Sequence, residues 1–270
     1  VVSQPARPAG RKRLLTEPAV AEFAKTNKIH VLQPERASAP EFLEALAALR
    51  PDVVVTAAYG QILSQAFLAI PHRGTINIHP SLLPAYRGAT PVVAALLDQQ
   101  QDTGVTVLFT VKKLDAGNII AQERYAIAPD ETASALNDRM FRESTPLLFD
   151  ALSRLRDPTF GGIPQDETKV SHCTKLVKED GDVEWQAAAP TILARFRAFV
   201  PWPGTYTFLN GKRIAIGAMA CGGSASGGTP GNARFDPQRG AIVVSSRTMV
   251  SAPQAGRESE NNAKAIAISK

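Results

Sequence analysis

The chain has 270 residues, of which 44% are hydrophobic and 20% charged, with a formal net charge of +5. That length accommodates one large domain or two ordinary ones, and that balance excludes an intrinsically disordered chain. No apolar run is long enough to span a bilayer, and the first residues carry no signal-peptide stretch, so a cytoplasmic location is expected. Cys173 and Cys221 make neither a disulfide framework nor a C-x-x-C zinc site. The basic charge suits an anionic partner such as RNA without requiring one.

Taken in chain order, Val1-Val2 reads as the last piece of a strand. The segment from Gln4 to Arg13 has no hydrophobic periodicity, and on charge alone it is a solvated basic turn. A short helix is predicted over 15–27, capped near Thr16 with Pro18 in its first turn. A second is predicted over 40–49, where Phe42, Leu43, Leu46 and Leu49 recur at helical spacing. The β-branched run 53–57 predicts a strand buried on both faces.

The apolar run 74–78 leads into Asn77-Ile78-His79-Pro80-Ser81-Leu82-Leu83-Pro84-Ala85-Tyr86-Arg87-Gly88, a strand followed by a Pro- and Gly-punctuated loop. Thr90-Pro91 then opens a helix with a cap and a first-turn Pro. Strand-like runs over 105–111 and 119–127 bracket Leu114-Asp115-Ala116-Gly117, and one long amphipathic helix is predicted over 132–155. Asp157-Pro158-Thr159-Phe160-Gly161-Gly162-Ile163-Pro164 has linker chemistry. A helix over 190–199 and short strands over 204–209, 213–218 and 241–245 follow, with Asn210-Gly211 as a hairpin turn.

Alternating strands and helices argue for an α/β fold, a Rossmann-like, mostly parallel sheet domain. The later run of short strands argues for a small OB-like β-barrel. The predicted division is a catalytic domain over 1–156, a linker over 157–168, a barrel over 169–246 and a tail over 247–270. Within the tail, residues 251–270 are polar, lack strand periodicity and are expected to be mobile.

Asn77 and His79 stand two residues apart on a strand, so their side chains leave one face and can converge on one ligand atom. Alone, Asn-x-His fits two residues tying down their own backbone equally well. The full string, with Leu114-Asp115-Ala116-Gly117 downstream, resembles the signature of the folate-dependent formyltransferases. Within that family, three further stretches resemble the methionyl-tRNA formyltransferases. They are Gln4 to Arg11, Gly161 to Thr168, and Arg197-Ala198-Phe199-Val200-Pro201-Trp202-Pro203-Gly204.

The resemblance implies transfer of a formyl group from 10-formyltetrahydrofolate to the amino group of initiator Met-tRNA, by a monomer that uses no metal. It implies Asn77, His79 and Asp115 as the catalytic set, and Ser81, Leu82, Leu83 and Pro84 lining the folate site. The backbone around Tyr59-Gly60-Gln61 and residues 111–114 would hold the pterin ring. Arg7, Arg11, Lys12 and Arg13 would contact the tRNA. Formyl transfer to an amine passes through a tetrahedral intermediate, which needs an oxyanion donor (Asn77), a proton carrier (His79) and a group to orient the ring (Asp115).

Members of the family open with a strand and helix that have no counterpart ahead of Val1, so the chain is expected to be a fragment with a divergent tail. Three other readings stand beside the leading one: formyl transfer to a sugar-nucleotide amine, hydrolysis of formyltetrahydrofolate, and a catalytically inactive tRNA- or folate-binding protein.

Overall fold

A computed structural model describes residues 1–10, 13–224, 229–236, 241–246 and 264–269. The chain divides into two units: Val1–His79, Thr106–Glu123 and Thr145–Thr168 in one, Pro80–Val105, Arg124–Ser144 and Lys169–Lys270 in the other.

The chain starts with a hairpin of β1 (Arg7–Ala9) and β2 (Leu14–Thr16), with Arg7 opposite Thr16. Helix was expected from residue 15, but Pro18 disfavours helical backbone in the residue before it. Leu14 and Leu15 stay extended, and α1 spans Ala19–Thr26 with Pro18 as its extended N-cap. Helix α2 (Pro40–Ala48) has Pro at its first turn and buries Phe42 and Leu46.

Strand β3 (Val54–Thr56) is an edge strand, and Val55 is 40% exposed, so the expected two-faced burial does not occur. A short helix α3 (Gln65–Leu68), capped by the Ser64 hydroxyl, leads to β4 (Thr75–His79). After β5 (Arg87–Gly88) and α4 (Pro91–Leu97) come β6 (Asp102–Phe109) and β7 (Ile119–Ala126). The central sheet has the order β3-β4-β6-β7. β3 and β4 run parallel while β6 runs antiparallel to β4.

Thr90 occupies the N-cap position of α4, but its hydroxyl donates to Thr174 O (2.7 Å) instead of capping. The single helix expected over 132–155 is two, α5 (Ala133–Glu143) and α6 (Thr145–Arg154). Pro146 cannot donate the i→i−4 hydrogen bond that a continuous helix requires, so the helix restarts around it. Thr132 caps α5, accepting from Ala135 N. Beneath the sheet, Ile76, Val107, Ile120, Ala121, Ala151 and Leu155 form one buried cluster. Burying each large aliphatic side chain contributes about 1.5–3 kcal/mol, which fixes β4 and its neighbours firmly.

In the other unit, β8 (His172–Cys173) pairs in parallel with β5. Helix α7 (Ala189–Ala198) precedes the hairpin of β9 (Thr205–Leu209) and β10 (Lys212–Ile216). Asn210 and Gly211 turn it with φ of 49° and 73°, as a two-residue hairpin loop demands. Strands β11 (Ala218–Ser224), β12 (Ala233–Asp236), β13 (Ala241–Ser245) and β14 (Lys264–Ser269) form an antiparallel sheet of order β11-β14-β13-β12. β14 lies in the tail expected to be mobile, where Ile266 and Ile268 alternate with alanines. Among the described residues no helix is long and apolar enough to cross a membrane.

Candidate active site

The sheet register builds the site. Thr56 on β3 and Leu108 on β6 lie on either side of Asn77. Asn77 is half-buried, while His79, two residues on, is 4% exposed. The Thr56 hydroxyl lies 2.9 Å from Asn77 Oδ1 and 3.0 Å from Ile76 O. Holding Oδ1 against that hydroxyl leaves Nδ2 to donate elsewhere, and among the described residues no protein group accepts from it. Sequence reading did not find Thr56, because its partner stands 21 residues away and only the register brings the two together.

Asp115 joins them from the loop between β6 and β7: its Oδ2 lies 3.7 Å from His79 Nδ1, with the two side chains 10% and 5% exposed. The loop is tied to β4 by Thr110 N, which donates to Thr75 O (2.7 Å), and to β6 by Phe109 N, which donates to Asn118 O (2.9 Å). Asp115 has φ 49°, a left-handed conformation that Asp tolerates better than most residues. At Gly117 a Cβ would fall 1.7 Å from Phe109 O, so only glycine lets the chain return this close to β6. His79 and Asp115 are thus a buried pair, and Asn77 stands two residues before His79 on the same strand.

The loop after His79 is held by bonds within it and to residues outside it. Ser81 Oγ donates to Ala85 O (2.7 Å) and the Tyr86 hydroxyl to Asp98 Oδ2 (2.8 Å). Burial first, then Asp98, pushes the Tyr86 phenol up to about 12. Tyr86 N and Arg87 N donate to the Oγ and O of Ser171, both at 2.9 Å. Arg87 is fully buried. Of the four residues expected to line a folate site, Ser81 and Leu83 are buried, and Leu82 and Pro84 keep partial surface.

Arg7 lies exposed on the first hairpin, 3.6 Å from Glu35, and Arg13 is exposed at its turn. Arg11 and Lys12 lie outside the described residues. Just before the hairpin, Gln4 Nε2 donates to Tyr59 O (2.9 Å) and Gln61 Nε2 donates to Gln4 Oε1 (3.3 Å). An open cleft of about 790 Å³ lies there, lined by Gln4, Arg7, Glu17, Glu35, Gly60 and Gln61. Lys25, then Gln33, hold the Glu17 carboxyl below its ordinary range. Asn77, His79 and Asp115 do not line the cleft. Among the described residues no group of three or more His, Cys, Asp or Glu side chains is placed to hold a metal.

Comparison with known proteins gives a consistent picture. The formyl transferase family profile matches residues 1–152, and the formyl transferase C-terminal domain profile matches 175–265. A methionyl-tRNA formyltransferase of Chloroflexus aggregans is 43% identical over 231 residues, covering 86% of this chain and 75% of that protein. One from Staphylococcus aureus is 39% identical over 216 residues, covering 80% and 70%. Two solved structures share the fold at low identity. An N-formyltransferase from Helicobacter canadensis, in complex with folinic acid and dTDP-3-aminofucose, has TM-score 0.65 at 17% identity over 94% of this chain and 84% of that one. HypX from Aquifex aeolicus with tetrahydrofolic acid has TM-score 0.63 at 18% identity, over 91% of this chain but only 40% of HypX.

Proposed function

The chain belongs to the formyl transferase family, and we propose that it formylates the methionine amino group of initiator Met-tRNA, with 10-formyltetrahydrofolate as donor. One observation carries the choice of acceptor: the basic hairpin is tied to the segment that follows β3, the strand paired with the one bearing Asn77 and His79. Gln4, just ahead of Arg7, bonds to Tyr59, and Tyr59 follows Thr56, whose hydroxyl faces Asn77. Arg7 and Arg13, with Arg11 and Lys12 between them in sequence, supply cations for phosphate beside a cleft that suits a single-stranded chain end. A sugar-nucleotide amine would leave such an arm without a role.

The folate supplies the formyl group when bound. Residues suited to its flat ring are at hand: Ile62, Val111 and Leu114 are exposed apolar side chains on loops that follow β3 and β6. Thr110 Oγ1 is buried without a hydrogen-bond partner among the described residues. On the loop after His79, Leu82 and Pro84 keep partial surface.

Asn77 Nδ2 donates to the formyl oxygen as negative charge develops on it, a contact whose loss typically costs about a hundredfold or more. With Nδ1 turned to Asp115, His79 uses Nε2 to take the proton that the amine loses, and holds it for the departing nitrogen. Asp115 keeps the ring oriented and stabilises the imidazolium. Hydrogen bonds activate the carbonyl, so the reading is of a cytoplasmic monomer that needs no metal. We assign residues 1–156 to catalysis and 169–246 to tRNA binding, joined by the linker 157–168. The test is formyl incorporation into initiator Met-tRNA, abolished in His79→Ala with the circular dichroism unchanged. Turnover of a dTDP-amino sugar in its place would overturn the acceptor.

A further inference from the structure

We propose that Gln165 is a positioning residue for the Asp115 carboxylate, acting through the backbone of the loop that carries it. Gln165 Nε2 donates both to Asp115 O and to Gly117 O, each at 2.8 Å. One carboxamide thus clamps the carbonyl of the acid itself and that of the glycine two residues on.

The clamp belongs to a longer strap. Ile163 and Ile119 exchange two backbone hydrogen bonds at 2.8 Å, and Asn118 Nδ2 donates to Gly161 O at 2.8 Å. At the far end Lys113 pairs with Glu167 at 2.9 Å. Segment 161–167, which reads as plain linker in the sequence, therefore grips both sides of the turn bearing Asp115.

The turn needs gripping because Asp115 holds φ 49°, a conformation the chain leaves readily unless its surroundings fix it. Relaxation to the ordinary helical or extended regions rotates the side chain away from His79. Glutamine is well matched to this position, because its amide nitrogen carries two protons for two carbonyls and brings no charge into the loop. Glutamate, of the same shape, would point oxygen at oxygen.

The inference rests on the proposed reaction, in which Asp115 acts on His79. In steady-state formyl transfer to initiator Met-tRNA, Gln165→Ala and Gln165→Glu should lower kcat about tenfold or more with both KM values within about twofold, as small displacements of a reacting group do. In an Asp115→Asn background Gln165→Ala should cost nothing further, because the residue works only through that carboxylate. Unchanged kcat in the single variants, or full additivity in the double one, overturns the proposal.

Should Gln165→Ala lose its fold, Gln165→Asn, whose two donors fall one methylene short, carries the same comparison. Hydrogen–deuterium exchange separates this inference from the reaction itself. Faster exchange across 113–119 in Gln165→Ala is expected whether or not the wild type formylates tRNA, and unchanged exchange refutes the clamp.

Discussion

Thr56→Val tests how the oxyanion donor is aimed. The substitution keeps the branched shape on β3 and removes only the hydroxyl that lies 2.9 Å from Asn77 Oδ1. Two acceptors face that one proton, because Ile76 O is 3.0 Å away. If the proton serves Asn77, its loss frees the amide to turn and present oxygen, not nitrogen, to the formyl group. A hydrogen bond of this kind is worth about 1 kcal/mol net, so the productive orientation should lose about fivefold in population. kcat should fall by about that factor, while KM for both substrates and the melting temperature move little. The assay is steady-state formyl transfer at saturating folate, with urea unfolding as control. An unchanged kcat would place the proton on Ile76 O and refute the account of Asn77.

Gly117→Ala should destabilise the fold by about 3 kcal/mol or more, since its Cβ would meet Phe109 O at 1.7 Å; urea titration measures this. Glu131, bound by Arg139 through contacts of 2.8 and 2.9 Å, is held below the ordinary carboxylate range chiefly by that side chain. A depressed folded value means that the pair stabilises above the unfolded carboxylate pKa of about 4.3 and that this is lost as pH falls through the folded value. Arg139→Ala should therefore lower stability at pH 7 by roughly 1–3 kcal/mol and flatten its acid dependence, read by unfolding at several pH values. Tyr86 should not ionise until about pH 12, and ultraviolet difference titration against Tyr86→Phe should lack any transition for it near the ordinary tyrosine value.

Local patterns were readable and distant partnerships were not. Asn77 and His79 share a face because strand alternation is a two-residue rule, and β4 obeys it. Asp115 came only through resemblance, because nothing local says which carboxylate will lie 3.7 Å from the imidazole. Pro146 was a visible breaker, but the amphipathic pattern continues through it and hid the restart of the helix. β14 escaped because its alternation pairs Ile266 and Ile268 with alanines, a weak contrast beside a polar stretch. Thr56 and Gln165 stand 21 and 50 residues from the groups they hold, beyond any pattern read along the chain.

The residues on β4 and its neighbouring loop are proposed to transfer a formyl group to a tRNA-borne amine. Formyl transfer from 10-formyltetrahydrofolate should be followed with initiator Met-tRNA and a dTDP-amino sugar in parallel, for wild type and His79→Ala. Transfer to the tRNA alone is expected, salt-sensitive and lost in His79→Ala with the fold intact. Turnover that survives His79→Ala, or a preference for the sugar, would contradict it.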